Sequence, residues 1–467
     1  MKLFYLFSFI LILGACGNKV PPQPGQAEEG GAGGPGVLAL DNESAGEENA
    51  KEEPAFPLRF SLKSAPQDAA LFYNGSTLRA LGAESSGQGL REFTLDAPGN
   101  LSIESPGYKS VSIPSFALAG FFKEGISGPL LEVKLEALEG PLSLALELAT
   151  GRQPKSAYFS ANGERLFVPL LDEAGIDVFR MSPAPAFEKR LTVPGSRARG
   201  FVEALVYEAE RELWVSNMED NHIHVFDLES LAYKTSFYSG GSMPKVLALS
   251  PDGLVAAVSN WLSRTVSFFD GNTKELLFTV PTGGTPRGMV FSADGTLLYT
   301  AIFDEPLIAV IDVNRRALTK RFRLYEGEGA ARHVLRDGGR LYVSDMARGT
   351  VCILEEASGK LLRSVRVGPN INTIVLSPDR KTLFASSRGR NNREDYTKPG
   401  PDFGSVTMLS SSDLSVRGKV WGRNQPTGLA VSPNGRRLAF TDFLDANLEL
   451  YELAQDETPE QKDGSGI

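Results

Sequence analysis

Hydrophobic and polar residues alternate in short runs along most of the chain, the period of half-buried β-strands, with turn residues between the runs. Between residues 141 and 453 the runs repeat in a fixed order. A turn marks each unit: Ser160-Ala161-Asn162-Gly163, Ser250-Pro251-Asp252-Gly253, Ser292-Ala293-Asp294-Gly295, Ser377-Pro378-Asp379-Arg380 and Ser432-Pro433-Asn434-Gly435. Degenerate copies stand at Glu208-Ala209-Glu210-Arg211 and Arg336-Asp337-Gly338-Gly339. Pro or Ser opens such a turn, Asp or Asn accepts from the backbone, and Gly takes positive φ. The markers lie 41 to 55 residues apart and define seven units. Each holds four strand-like runs, as at 246 to 249, 255 to 259, 265 to 269 and 275 to 280, the content of one propeller blade. The seventh unit has only three runs. The segment Leu142-Ser143-Leu144-Ala145-Leu146-Glu147-Leu148 precedes Thr150-Gly151-Arg152-Gln153-Pro154 just as 278 to 280 precedes Thr282-Gly283-Gly284-Thr285-Pro286. It is predicted to supply the missing strand and clasp the ring, because an unclosed propeller leaves strand edges unpaired. The predicted fold class is all-β: a seven-bladed β-propeller over 139 to 455, preceded by a small β-sandwich over 57 to 138.

The other end of the chain reads differently. Lys2 precedes an apolar stretch from 3 to 13, too short to span a bilayer and shaped as a signal peptide over residues 1 to 15. It ends in Leu13-Gly14-Ala15-Cys16, which resembles the bacterial lipobox. That resemblance implies cleavage before Cys16, lipidation of its thiol with palmitate-type acyl chains, and a membrane partner reached through the anchor. Each buried methylene adds about 0.8 kcal/mol, so three chains would hold the protein permanently. Gly17 is not the aspartate that, by enterobacterial analogy, retains lipoproteins at the inner membrane; the expected address is the outer membrane of the cell envelope. Residues 16 to 56 are rich in Pro, Gly and Glu and read as a disordered tether, and 456 to 467 as a disordered acidic tail.

Composition narrows the function classes. The chain has 467 residues, 42% hydrophobic and 22% charged, with a formal charge of −9. The tether and the tail carry nearly all of that charge, and the body is close to neutral. A basic footprint for nucleic acid is absent at the scale of the domain. With two cysteines there is no disulfide framework. Cys352, among Val351, Ile353 and Leu354, reads as a buried, inert thiol.

Two family resemblances follow from particular residues. Asn74-Gly75, Pro98-Gly99 and Ser105-Pro106-Gly107-Tyr108-Lys109 resemble the PEGA domain, an extracytoplasmic accessory module that implies no chemistry; the Thr-Pro pair usual in that family is missing. Leu213-Trp214-Val215-Ser216-Asn217, followed by 221 to 226 and Asp227, resembles the YVTN repeat of lactonase-like propellers and surface-layer proteins. Val258-Ser259-Asn260 with Asp270, and Asp312 in the next unit, repeat it. This resemblance implies the propeller fold and leaves the activity open.

Candidate chemistry gathers on one face. Lys155, Arg199, Lys245, Arg287 and Arg332 stand at or beside the start of an inner strand, where side chains converge on the central channel; units six and seven offer Asn372 and Thr427 there. Unit six carries an insertion with Arg388, Arg390, Asn391, Asn392, Arg393, Tyr396, Lys398 and Phe403, and long loops on rigid scaffolds concentrate binding residues. Trp261 and Arg264, and Trp421 and Arg423, are expected to project toward the same face. The expected ligand-binding set is Lys155, Arg199, Lys245, Trp261, Arg287, Arg332, His333, Arg388, Asn391, Asn392, Tyr396 and Arg423, holding a small anionic ligand, a glycan or a protein. The bland alternative is that the cations pair with acidic residues of neighbouring blades. No catalytic residue, metal ligand or cofactor is expected. His222 and His224, two apart on a strand near Glu219 and Asp220, read as solvent-facing, and His333 has no acid–base partner by spacing. The chain therefore reads as a membrane-anchored binding or scaffold protein, the alternatives being a lactonase-like hydrolase acting at the channel face and an accessory subunit in envelope assembly.

Overall fold

The computed structural model describes residues 58–65, 70–73, 76–77, 91–95, 99–105, 108, 111–114, 130–135 and 142–454. The expected signal peptide, Cys16, the tether and the tail from 456 lie outside the described residues. Within 142–454 seven four-stranded antiparallel sheets follow one another, each ordered from an inner strand to an outer one, the arrangement of a seven-bladed β-propeller. Blade one runs from Tyr158–Phe159 to Ala186–Leu191 and blade three from Pro244–Leu249 to Leu276–Pro281.

The turns that mark the units are built as their residues demand. In blade three Ser250 Oγ donates to Asp252 Oδ1 at 2.6 Å and accepts from the Val255 N–H at 2.9 Å, while the Leu254 N–H donates to Asp252 Oδ1 at 3.0 Å. Gly253 closes the turn at φ 75°; its counterpart in blade six, Arg380, adopts φ 64°, a conformation that a side chain makes costly. Second and third strands are buried on both faces because each blade is sandwiched between two others, whereas outer strands such as Leu276–Pro281 are largely exposed. One core cluster joins Tyr299, Ile308 and Val310 of blade four to Val334, Val343 and Cys352 of blade five. Hydroxyls on second strands add ties between blades: Ser216 Oγ donates to the Lys245 carbonyl at 2.6 Å, Ser344 Oγ to that of Asn372 at 3.0 Å, and Thr441 Oγ1 to that of Pro154 at 3.1 Å. Ser216 and its relatives are the small polar residues of the Val-Ser-Asn repeat.

The ring closes as its missing strand required. Leu142–Ala149 pairs antiparallel with Asn447–Leu453 and becomes the outer strand of blade seven. Ala157, Leu166 and Phe179 of blade one pack with Ala430, Ala439 and Leu450 of blade seven. Across the clasp, Arg423 reaches Glu147 at 2.9 Å. Beside it lie two carboxyls with no exposed surface, Asp442 and Glu449. Tyr451 donates to Glu449 Oε2 at 3.1 Å and the Arg423 N–H to Asp442 Oδ1 at 3.0 Å, but Asp442 Oδ2 and Glu449 Oε1 have no donor. Burial raises both, Asp442 to about 7 with the charge of Asp445 adding to it, and Glu449 further through the charge of Asp442 and a hydrogen bond with it, so a proton is held between them.

Ahead of the propeller two small sheets are described. Arg91–Leu95, Leu58–Ala65 and Leu130–Lys134 form one, its last pair parallel; Ser76–Thr77, Ala70–Tyr73, Asn100–Glu104 and Val111–Pro114 form the other. Leu71, Phe93, Leu95, Leu101, Ile103 and Ile113 are buried in them.

Candidate functional site

The residue that follows the inner-strand residue paired with the end of the second strand marks one position per blade: Lys155, Val202, Lys245, Arg287, Arg332, Asn372 and Thr427. Four are cations. A second position, directly after the second strand, forms a collar on the same face: Met218, Trp261, Phe303, Met346, Arg388 and Phe443 in blades two to seven. Blade six places a fifth cation in this otherwise apolar collar.

The two positions meet. Lys245 Nζ and Arg287 lie over the Trp261 ring at 5.9 and 5.8 Å, and Lys155 Nζ and Arg388 over the Phe443 ring at 4.7 and 5.4 Å. Trp261 packs on Phe303 with centroids 4.7 Å apart. Arg287, Arg332 and Arg388 are 4%, 7% and 5% exposed, a degree of burial that charged groups accept only when paired. Pairing is scarce. Among the described residues the one carboxylate in ion-pair contact with the five cations is Glu203 of blade two, 3.5 Å from Arg287 and also bonded to the Tyr158 hydroxyl at 2.8 Å. Arg388 donates to Gln425 Oε1 but its buried Nε has no partner, and Gln425 is held by the Tyr396 carbonyl at 2.6 Å. Lys245 Nζ meets Met218 Sδ at 2.7 Å.

The electrostatic consequence is a cluster that repels itself. Burial, then Arg388, Arg332, Arg287 and Lys245, push the Lys155 ammonium well below the ordinary lysine value. Lys245 is lowered by burial and by Arg287 and Arg332 against Glu203. Arg332 is likewise lowered by burial, Arg287 and Arg388, and Arg388 falls to about 10. His333 stands behind Arg332, its imidazole pushed down to about 3 by burial and then by Arg332 and Arg287, so it is neutral; its Nδ1 has no partner. An arrangement of this kind concentrates positive potential in the channel.

Of the residues expected from sequence, Lys155, Lys245, Trp261, Arg287, Arg332, His333 and Arg388 come together. Tyr396 joins at the rim, half exposed, with Arg388 5.8 Å from its ring centroid. The others do not. Gly200, at φ 94°, turns the chain into blade two and leaves Arg199 outside, 53% exposed and paired with Asp172 at 2.7 Å; Val202 takes the channel position. Arg423 is drawn to Glu147 at the clasp. Asn392 folds its own loop, accepting from the Glu394 N–H at 2.9 Å and donating to the Pro399 carbonyl at 3.1 Å, and Asn391 beside it has a buried Oδ1 without a hydrogen-bond partner. Arg264 faces Asp304 at 3.6 Å, and Trp421 lies at an outer strand under Lys419. His224 corrects the solvent-facing reading: it is buried in a third strand, with Nε2 2.9 Å from Asp220 Oδ2. Cys352 is fully buried. Among the described residues no group of three or more His, Cys, Asp or Glu side chains is placed to hold a metal ion.

Sequence reasoning missed Glu203, Tyr158, Gln425 and Phe443. Phe443 was within reach, because the residue after the second strand is aromatic in blades three, four and seven.

Comparison with known proteins adds two likenesses. A chain in the crystal structure of the mitotic checkpoint complex superposes with a TM-score of 0.55 at 14% identity, over 72% of this chain and 98% of that one, a likeness of fold alone. No family model matches the chain. Antigen Lp49 of Leptospira interrogans serogroup Icterohaemorrhagiae serovar copenhageni is 35% identical over 324 residues, 65% of this chain and 68% of the relative. The chain thus belongs to the family of antigen Lp49.

Proposed function

We propose that this is an extracytoplasmic, lipid-anchored binding protein whose propeller holds an anionic ligand at the channel face. The observation that carries the reading is the convergence of Lys155, Lys245, Arg287, Arg332 and Arg388 with Glu203 alone in ion-pair contact among the described residues. Buried cations are tolerated when an opposite charge completes them, and a ligand supplies what the chain withholds. The lipobox-like Leu13-Gly14-Ala15-Cys16, the YVTN-like repeat and the PEGA-like turns support placement in the envelope, as does a relative named as an antigen. Cys16 would carry the anchor, and the tether would hold the propeller off the lipid surface.

Native mass spectrometry of the full chain extracted in detergent from its own membranes tests both parts. The expected spectrum shows acylation at Cys16 and a further non-covalent mass that is absent from the Arg287→Glu/Arg332→Glu variant. Equal masses for the two proteins would refute the channel site, and an unmodified Cys16 would refute the anchor.

A further inference from the structure

We infer that the ligand is a compact multivalent oxyanion, a phosphate ester or polycarboxylate with oxygens facing several directions, and that it binds together with protons taken up by the channel lysines. This rests on the anion reading above and narrows it.

The geometry sets the valence. The cations come from blades one, three, four, five and six, so their donors approach the channel axis from around most of the ring. A single carboxylate presents its oxygens to one side and would satisfy one or two donors. Five cations against Glu203 would also leave a monovalent anion outnumbered. A phosphoryl group or a tricarboxylate offers oxygens all round and enough charge. The aromatic faces cannot substitute: Trp261 and Phe443 are each already approached by two cations.

The same crowding links binding to protonation. Lys155 is faced by Lys245, Arg287, Arg332 and Arg388, with no carboxylate in ion-pair contact among the described residues; Lys245 is faced by Arg287 and Arg332 and by Glu203. Tyr158 is tied to Glu203, and His333 lies behind Arg332. Held among these charges and half-buried, the two lysines give up their protons more readily than exposed lysines do. An arriving anion reverses that field and each lysine gains a proton. Affinity must then fall as pH rises.

The test uses the full chain, stripped of bound anions by dialysis at high salt, with inorganic pyrophosphate, citrate and acetate as probes at matched ionic strength. Thermal stabilisation should be large with pyrophosphate or citrate and near zero with acetate, and whichever multivalent probe is stronger tells phosphoryl from carboxylate chemistry. It should be lost in Lys155→Met and Arg332→Met and kept in Arg199→Met. Calorimetry in buffers of different ionisation enthalpy should show net proton uptake, and the dissociation constant should rise at least tenfold from pH 6 to 9. Site-dependent binding of acetate as strong as that of pyrophosphate would overturn the multivalent inference while leaving the anion reading intact. Multivalent binding without proton uptake would overturn the linkage. Binding of no probe, or binding unchanged in Arg332→Met, would overturn the inference and the reading together.

Discussion

Replacing Arg332 by methionine should make the ligand-free protein more stable. The guanidinium is 7% exposed and has no hydrogen bond or ion pair among the described residues, so its removal orphans no partner. Methionine keeps most of the apolar stem volume. The scale of the relief can be judged from Arg388, whose charge is disfavoured from 12.5 to about 10; at about 1.4 kcal/mol per unit this is about 3 kcal/mol. Arg388 retains a bond to Gln425, which Arg332 lacks. Exchanging buried charge for well-packed apolar volume gains about 1–4 kcal/mol where it has been measured. For a propeller of this size the gain corresponds to roughly 2–8 °C in Tm. Scanning fluorimetry suits the assay, since Trp261 lies inside the cluster and Trp214 is buried in the core. At pH 7 without multivalent anions the variant should melt above the parent, and saturating pyrophosphate should reverse the order by stabilising the parent alone. A variant that melts below the parent in anion-free buffer would refute the claim that these cations repel one another.

The remaining predictions concern the scaffold. Because Asp442 and Glu449 have their carboxyls raised in the folded state, their contribution is complete below about pH 4 and declines as pH rises, for Asp442 through about 7 at a cost of about 4 kcal/mol. Glu449→Gln replaces the shared proton by a fixed amide donor and should flatten the decline of Tm between pH 5 and 9; an unchanged slope would count against the shared proton. Gly288→Ala would set a Cβ 2.7 Å from the His333 Cα and 2.9 Å from the Arg332 carbonyl, both main chain, and should lower stability by about 1–3 kcal/mol in urea unfolding. Unaltered urea midpoints would mean the blades can part at that point. Deleting residues 142–149 strips blade seven of its outer strand and should give aggregates on size exclusion; a monomer with the parental Tm would show the clasp to be dispensable.

What could be read from sequence was what is encoded locally or by repetition. The Ser250-Pro251-Asp252-Gly253 turn is a closed set of short-range bonds, and its recurrence gave the blade count. The strand from Leu142 was legible through the turn that follows it. The cationic positions were legible from the entry into each inner strand, with the regular turn as a ruler in units one, three and four. Unit two replaces it with a 3-10 turn at Glu208–Glu210, the register was lost, and Arg199 stood in for Val202. His224 misled because an isolated strand does not reveal that blades cover both of its faces. Glu203 and Tyr158 come from different blades and meet by curvature of the ring, which no local pattern states.

The strand that finishes blade seven is the first of the ring to be synthesised, and its partner the last. Some three hundred residues must leave the ribosome before Leu142–Ala149 can find Asn447–Leu453. Until then the early strand's edge is open, and a nascent chain interrupted anywhere among the blades keeps it so. Assembly of this ring is thus decided at its final seam, which makes the seam the place where a chaperone or a protease would tell a finished molecule from an abandoned one.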